Sequence, residues 1–209
     1  MYNVIIMEHN DHSKLEVQPI LSQEIKSSWL RDLPRMVSVD VETAGPNPAD
    51  YALLSIGACT LMAPRQEFYV ELVPDKEKIE ERAFAIHGLS FQHLKAAGKQ
   101  PREAMMAFRD WLHACMPQDG KPLFLGFNAP FDWMFVCDYF HHYLRSNPFG
   151  HSAVDIKSFY MGISRVAWEE TSMASLSTHP LRHNALEDAR DQADIFLKIL
   201  QDAGVLKPD

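Results

Sequence analysis

The sequence predicts an α/β fold in which helices pack on a mixed sheet of five strands. Two observations carry this prediction. Early in the chain, apolar and polar residues alternate in β-rich segments that are joined by short turns. Later, short apolar segments alternate with stretches in which apolar residues recur every three or four positions, as in helices. Strands followed by alternating strands and helices are typical of a sheet with an antiparallel meander and a parallel part.

The composition is that of one folded domain with a short appendage. The chain has 209 residues, 46% of them hydrophobic and 23% charged, so a disordered or fibrous protein is not expected. The formal net charge is -8, which argues against a protein that binds long stretches of nucleic acid through its overall field. A phosphate-rich substrate must therefore be held locally.

Cysteine usage and hydropathy indicate a cytoplasmic protein with no membrane association. The three cysteines, Cys59, Cys115 and Cys137, show no CxxC spacing, so neither a disulfide framework nor a zinc site is expected. The longest apolar-rich stretch, residues 52–63, is well short of the ~20 residues that span a bilayer. The N-terminus also lacks the basic region of a signal peptide.

Residues 1–35 are expected to be an N-terminal extension that contains a helix. Apolar side chains recur there at intervals of four, which is the spacing of one helical face: Leu21, Ile25, Trp29 and Leu33. The main domain is then residues 36–203, with a tail at 204–209. The extension can complete a homodimer, cover an edge of the sheet or tether a partner, and the sequence leaves these roles open.

The first half of the main domain is predicted to form three consecutive strands. The segment Met36 to Glu42 alternates with an apolar face of Val37, Val39 and Val41 and a polar face of Ser38, Asp40 and Glu42. Two β-rich segments, Leu53–Met62 and Glu67–Val73, follow after short connections. These connections predict an antiparallel meander. The charged stretch Asp75–Arg82 is interpreted as a solvated helix face.

The second half is predicted to alternate helices with short strands. A helix of about four turns follows Pro101, a favoured first-turn residue. Two short apolar strands, Leu123–Phe127 and Ala153–Ile156, lie on either side of a helix that contains Phe131. An irregular polar stretch, residues 168–180, precedes an amphipathic helix near the end of the chain.

Three groups of residues can carry chemistry. Asp40 and Glu42 project from one face of a strand about 7 Å apart, close enough to share a hard cation, although two solvated acids on an exposed strand would have the same pattern. Asp132 lies near a helix start just past a strand end, where α/β proteins gather ligand-binding groups. An acid is also favoured there by the helix dipole alone.

The third group is His183 and Asp188. On one continuous helix, two residues at this spacing would diverge by about 140°. Asn184 is a favoured N-cap residue and Glu187 can complete a capping-box-like pair, so the helix is predicted to begin at Ala185. That start leaves His183 on the preceding loop, from which it can fold back beside Asp188.

The order of these motifs is more specific than any one of them. The three motifs are Val39-Asp-Val-Glu-Thr-Ala-Gly45, Asn128-Ala-Pro-Phe-Asp-Trp-Met-Phe135 and His183-Asn-Ala-Leu-Glu-Asp188. Together they resemble the DnaQ-like 3′-5′ exonucleases, specifically the DEDDh branch of the ribonuclease-H-like proteins. The resemblance covers about Met36 to Leu200. Ala44 departs from the second Thr that is common in this family.

The resemblance implies a two-metal exonuclease with a ribonuclease-H-like fold. By this resemblance Asp40, Glu42, Asp132 and Asp188 are catalytic carboxylates that hold two Mg²⁺ or Mn²⁺ ions, a preference that agrees with an all-oxygen set of ligands. His183 is the implied general base. Histidine suits this role because it ordinarily titrates near pH 6.5. The expected reaction releases nucleoside 5′-monophosphates from single-stranded DNA or RNA 3′ ends.

The substrate is expected to be bound by a few local contacts. The resemblance implies backbone contacts from Thr43 and Ala44 to the terminal nucleotide, and Asn128 and Phe131 are further candidates near it. His87 either lines the same pocket or is only a loop histidine at a helix end. Two alternatives to an active exonuclease stay open: a nuclease-fold protein that only binds nucleic-acid ends or partners, and a metal-dependent nucleotidase.

Overall fold

Five strands form one mixed sheet in a computed structural model that describes residues 23–117, 120–177 and 182–207. They are β1 (Met36–Thr43), β2 (Leu53–Thr60), β3 (Glu67–Glu71), β4 (Leu123–Gly126) and β5 (Ala153–Asp155), in the spatial order β3-β2-β1-β4-β5. The pairs β1–β2 and β2–β3 are antiparallel, whereas β1–β4 and β4–β5 are parallel. The predicted five-stranded sheet with its meander is confirmed.

Eight α-helices lie in the described residues. They are α1 (Gln23–Asp32), α2 (Glu81–His87), α3 (Phe91–Ala97), α4 (Pro101–Cys115), α5 (Pro130–Leu144), α6 (Ile156–Ser164), α7 (Met173–Leu176) and α8 (Ala185–Asp202). Short 3-10 turns follow α1 at Leu33–Arg35 and precede α7 at Trp168–Glu170. Leu21, which was predicted to share a face with Trp29, is outside the described residues.

The two faces of the sheet are covered by different helices. Val37, Val39 and Val41 point toward α4 and α5 and belong to a core cluster with Phe108 and Phe140. The other face packs against α1, α6 and α8. Its core includes buried Leu33, Leu125, Ile156, Phe196 and Leu200, and the Trp29 ring lies 5.9 Å from that of Phe196. The polar face of β1 therefore lies on the side of α8.

Two local expectations were wrong, and some helices were missed. The stretch 75–80 is not helical, because α2 begins only at Glu81. Helix α6 was not predicted, and neither was α3. Glu187 does not complete a capping box, since its carboxylate lies 3.2 Å from the Arg182 guanidinium. Asn184 alone caps α8, accepting hydrogen bonds from the backbone N–H groups of Leu186 and Glu187.

In the part of the chain that the structure describes, no helix is both long and apolar enough to cross a bilayer.

Candidate active site

Asp40 and Glu42 project from the face of β1 that α8 covers. Their neighbours Val39 and Val41 point into the opposite core, so the alternation of the strand places both carboxylates on one side. Asp40 pairs with Gly57 of β2, and Glu42 pairs with Ser55. Directly paired residues share a face, so Gly57 lies beside Asp40 under the start of α8.

Gly57 allows α8 to approach the sheet closely. A Cβ atom at this position would lie 2.1 Å from the backbone of Ala185 and Leu186, and any side chain would therefore push the helix away. Glycine within a strand commonly marks such an approach of another backbone. The contact places the first turn of α8, which carries Asp188, over the β1 carboxylates.

Asp40, Glu42 and Asp188 form a compact carboxylate cluster. One oxygen from each residue lies within 4.8 Å of the other two. Asp188 is 7% exposed, and one of its oxygens accepts a hydrogen bond from the backbone N–H of Arg182 at 3.4 Å. Three carboxylates this close require positive counter-charge. Hard divalent cations such as Mg²⁺ fit this donor set better than zinc, which prefers nitrogen or sulfur ligands.

Asp132 joins the cluster from the first turn of α5. It is 5% exposed, and its Oδ1 accepts a hydrogen bond from the backbone N–H of Val41 at 3.1 Å. The ladder between β1 and β4 extends only to Ser38, so this N–H is not used by β4. The Asp132 carboxylate accepts the hydrogen bond from this N–H where β4 no longer pairs with β1. The bond holds Asp132 next to Asp40.

Gln192 connects three elements of the site, and the sequence analysis missed it. Its Nε2 donates to Asp40 Oδ1 at 2.6 Å, and its Oε1 accepts from the backbone N–H of Phe127 at 3.0 Å. The residue is 1% exposed, so both ends of the amide are satisfied inside the protein. The sequence contained a signal for Gln192, because this residue lies one helical turn beyond Asp188 and therefore on the same face of α8.

His183 lies on the segment just before α8, as predicted. Its backbone has a φ of 53°, a left-handed conformation that reverses the chain before the helix begins. The residue is exposed but lines the same cleft as Asp188. Burial raises the pKa of Asp188, and the proximity of His183 opposes part of that shift.

Burial and mutual repulsion raise the pKa values of the carboxyls. Burial, followed by Asp132, Glu42 and Asp188, raises the pKa of Asp40 well above its usual range, against the hydrogen bond from Gln192. Burial, then Asp188 and Asp132, raises the pKa of Glu42 to about 8. Burial also raises the pKa of Asp132 to about 7. Because these pKa values are all raised, the carboxyl groups of the cluster favour bound protons over full ionisation. Bound cations can take the place of those protons.

The carboxylates open into a cleft of about 220 Å³. Its other lining residues are Val41, Phe127, Asn128, Phe131, Met173 and His183. Two of the predicted substrate residues, Asn128 and Phe131, are therefore in the cleft wall. A larger depression of about 750 Å³ lies along another side of α8, lined by residues such as Leu61, Ile195 and Lys198, and it contains none of the predicted site residues.

Thr43, Ala44 and His87 lie outside that cleft wall. Both backbone groups of Ala44 are already used, because its N–H donates to Ala52 at 2.9 Å and its carbonyl accepts from Glu80 at 2.8 Å. His87 Nδ1 accepts from the backbone N–H of Leu89 at 3.1 Å. Burial lowers the pKa of His87. His87 thus lies at the end of α2, close enough to Thr43 and His183 to interact with both.

Comparison with known sequences establishes the family. Residues 37–196 match the sequence model of an exonuclease family, RNase_T. The chain belongs to this exonuclease family. The matched range contains every carboxylate of the cleft and His183, and the chain is accordingly a 3′-5′ exonuclease of the DnaQ-like, DEDDh type. Exonucleases of this type use divalent metal ions, which agrees with the carboxylate cluster.

The similarity to individual relatives is consistent with this family assignment. The chain is 44% identical over 165 residues to the 3′-5′ DNA exonuclease Cap18 of Escherichia coli, covering 77% of this chain and 88% of the relative. It is 26% identical over 181 residues to ribonuclease T of Buchnera aphidicola, covering 78% and 82%. The nuclease domain of 3′hExo, a DEDDh family member bound to rAMP, superposes with a TM-score of 0.68 at 16% identity, covering 83% of this exonuclease and 95% of that chain. The expected ribonuclease-H-like fold is thus confirmed.

Proposed function

We propose that this exonuclease hydrolyses single-stranded DNA from the 3′ end by a two-metal mechanism with His183 as the general base. The observation that carries the proposal is the cluster of Asp40, Glu42 and Asp188, whose oxygens lie within 4.8 Å of one another in a cleft that Asp132 and His183 also line. A deoxyribose substrate is supported by the name of the Cap18 relative, a DNA exonuclease. Residues 36–203 are proposed as the catalytic domain.

The carboxylates would hold two Mg²⁺ or Mn²⁺ ions. Asp40, Glu42 and Asp188 are the proposed ligands of one ion, and Asp40 of the other, with Asp132 acting largely through water. When bound, such a pair of cations makes water a stronger nucleophile and stabilises the leaving 3′-oxygen. The raised pKa values of Asp40 and Glu42 support this role, because a site that resists full ionisation gains most from added positive charge.

His183 would take the proton of the attacking water at a ring nitrogen. Its exposure keeps the imidazole in contact with solvent, so that the proton can be passed on after each turnover. Its position in the same cleft wall as Asp188 supports the role, because it places the ring next to the carboxylates that would hold the metal ions. The product is a nucleoside 5′-monophosphate and a strand with a new 3′-hydroxyl.

The cleft wall offers groups that can hold the terminal nucleotide. The cleft has a volume of about 220 Å³, and Phe131 at the start of α5 offers an aromatic surface for a base. Asn128, with a φ of 60°, presents polar groups to the same space. Both residues are proposed substrate contacts. Thr43, Ala44 and His87 are proposed contacts on the family resemblance alone, since the backbone groups of Ala44 already have partners within the protein.

Labelled oligonucleotides test this proposal directly. DNA and RNA strands carrying either a 3′ or a 5′ label are incubated with Mg²⁺, Mn²⁺ or EDTA. We expect 3′-labelled DNA to release labelled mononucleotide at once, 5′-labelled DNA to shorten in single-nucleotide steps, and EDTA to stop both.

Other outcomes contradict the proposal in distinct ways. Release of 5′ label as mononucleotide would reverse the polarity. Faster hydrolysis of RNA would overturn the proposed sugar preference. Strands that are bound but not shortened would indicate a protein that only holds nucleic-acid ends, whereas hydrolysis of mononucleotides alone would indicate a nucleotidase.

A further inference from the structure

The half-buried Lys157 and the exposed Trp168 form a cationic and aromatic pair that the proposed chemistry does not use. The Lys157 ammonium lies 3.7 Å from the centroid of the Trp168 ring. Trp168 nevertheless has 48% of its surface exposed, which is unusual for a side chain that gains so much from burial. We call these two residues the Lys157–Trp168 surface.

This surface lies at the same end of the sheet as the carboxylates. Strands β4 and β5 run parallel, and Gly126 pairs with Asp155 at their carboxyl ends. Asp155 Oδ1 accepts a hydrogen bond from the backbone N–H of Ala129 at 2.9 Å, and Ala129 follows Asn128 of the cleft wall. Because Asp155 is the N-cap of α6, Lys157 in the first turn of that helix lies at the same end of the sheet as the cleft.

The chain then returns to this end of the molecule. Helix α6 has 9 residues and is therefore about 14 Å long. The contact between Trp168 and Lys157 shows that the segment after the helix comes back to its first turn. Thr171, which is fully buried, donates from its hydroxyl to the Trp168 carbonyl at 2.6 Å. The position of Trp168 is thus anchored to the protein interior.

The same segment continues into the cleft. Met173, five residues after Trp168, is part of the cleft wall and also packs on the core beneath α8. Met173 therefore links the cleft wall to the segment that carries Trp168.

Lys157 offers a local cation for a nucleic-acid strand in acidic surroundings, since the exposed Glu169 and Glu170 directly follow Trp168. The protein as a whole carries a net charge of -8, and the cluster itself is acidic, so a phosphate outside the cleft needs a local cation. Lys157 supplies one, and the exposed Arg165 follows at the end of α6. An exposed indole beside a cation is the arrangement that binds single strands by base stacking and phosphate contact.

We propose that the Lys157–Trp168 surface binds the single strand on the 5′ side of the scissile nucleotide. A base stacks on Trp168 while Lys157 contacts a neighbouring phosphate. The inference rests on the proposed function for the direction of the strand. It makes the enzyme more efficient on strands long enough to reach this surface than on a dinucleotide.

Substrate length is the variable that tests the inference. The ratio of kcat/KM for a longer single-stranded DNA to that for a dinucleotide is measured for the wild type, Trp168→Ala, Trp168→Phe and Lys157→Gln. We expect Trp168→Ala to lower this ratio about tenfold and Trp168→Phe to restore most of it, because loss of one stacked base has an effect of this order. Lys157→Gln is expected to reduce the salt dependence by about one phosphate contact.

A control variant accompanies these measurements, and the loss of activity on the longer strand is compared with the loss on the dinucleotide. Lys198→Gln removes a lysine from the far side of α8, where its partner is Asp202, and is expected to leave the ratio unchanged. An unchanged ratio in Trp168→Ala would overturn the inference. So would an equal loss on the dinucleotide and the longer strand, because that pattern indicates damage to the cleft rather than loss of a remote contact.

Binding separates this inference from the proposed function. Affinity for a labelled single strand is measured with Mg²⁺ in the Asp188→Asn background, with and without Trp168→Ala. Weaker binding in the double variant supports the surface even if the wild type hydrolyses nothing, in which case the proposed function fails alone. Equal binding, together with normal hydrolysis by the wild type, overturns the surface and leaves the proposed function intact.

Discussion

Asp40 and His183 line the same cleft, yet the protein holds them in different ways. Asp40 lies within β1, which pairs with β2 on one side and β4 on the other, and its carboxylate accepts the 2.6 Å hydrogen bond from Gln192. His183 is exposed on the segment before α8, with a left-handed backbone. The carboxylate is held by the sheet, whereas the imidazole extends from a connection.

This difference corresponds to the two kinds of chemistry proposed for the site. Ligands of a hard cation must stand at set distances, so they benefit from strands and helix starts that are packed from both sides. A proton acceptor must instead exchange its proton with solvent after each turnover. The arrangement therefore predicts that changes at the carboxylates act on cation binding, while changes at His183 act on turnover alone.

The largest expected effect comes from Asp188→Asn. This change removes one charge from the three-carboxylate cluster, and we expect the exonuclease rate to fall by about three orders of magnitude or more. Cation affinity, measured by calorimetry, should fall with it. Asp202→Asn, on the exposed end of the same helix, is the matched control and should be nearly neutral. Near-wild-type hydrolysis by Asp188→Asn would reject the site assignment.

His183→Ala is expected to lower kcat by about 10²–10⁴-fold while cation binding survives. The measurements are single-turnover rates and Mn²⁺ calorimetry on the same preparation. His113→Ala, at an exposed position late in α4, serves as the control. If cation uptake disappears with His183, the imidazole is a ligand and the distinction between the two regions is wrong.

Gln192→Leu sharpens the comparison, because it removes the support of Asp40 and keeps every carboxylate. We expect the apparent affinity for Mg²⁺ to fall roughly 10–100-fold, as is usual when a partner of a metal ligand is lost. Activity should recover substantially at high Mg²⁺. Gln201→Leu, near the end of the same helix, should not change the Mg²⁺ dependence. An equal loss of activity at all Mg²⁺ concentrations would show that Gln192 supports the fold and not the ligand.

The smallest expected effect is a pH dependence of stability in the metal-free protein. The pKa of Glu42 is raised to about 8 by burial and by neighbouring carboxylates, whereas an unfolded glutamate titrates near 4.3. Between these values the native state binds more protons than the unfolded state, so stability falls as pH rises. In EDTA we expect the Tm to drop by roughly 5 °C from pH 5 to pH 8, and Mg²⁺ to reverse this. A Tm that rises over this range in EDTA would contradict the electrostatics described for the cluster.

Residues that act through local spacing were predictable from the sequence. The alternation in β1 placed Asp40 and Glu42 on one face, and the preference of Asn184 for an N-cap placed the start of α8 at Ala185, as observed. Gly57 carried a signal that was not used, since glycine inside a strand commonly marks a close approach. Each of these features depends on a few neighbouring residues.

Asp75 shows where such patterns fail. Its charged surroundings predicted a solvated helix, but the carboxylate accepts hydrogen bonds from the hydroxyls of Tyr139 at 2.5 Å and Tyr143 at 2.7 Å. The Tyr139 hydroxyl in turn accepts from the backbone N–H of Leu53 at 2.8 Å. These partners are 64 or more residues away along the chain, and no local periodicity records them.

The sequence by itself therefore determined the identity, order and local geometry of the acidic motifs, because strand alternation and helix capping act over short distances. The convergence of Asp40, Glu42 and Asp188 within 4.8 Å, the support from Gln192 and the return of Trp168 to the edge of the cleft were not. They arise where α8 packs on β1 and β2 and where α6 follows β5. Such contacts depend on how whole elements pack, and residues far apart in the chain meet only when the sheet has formed.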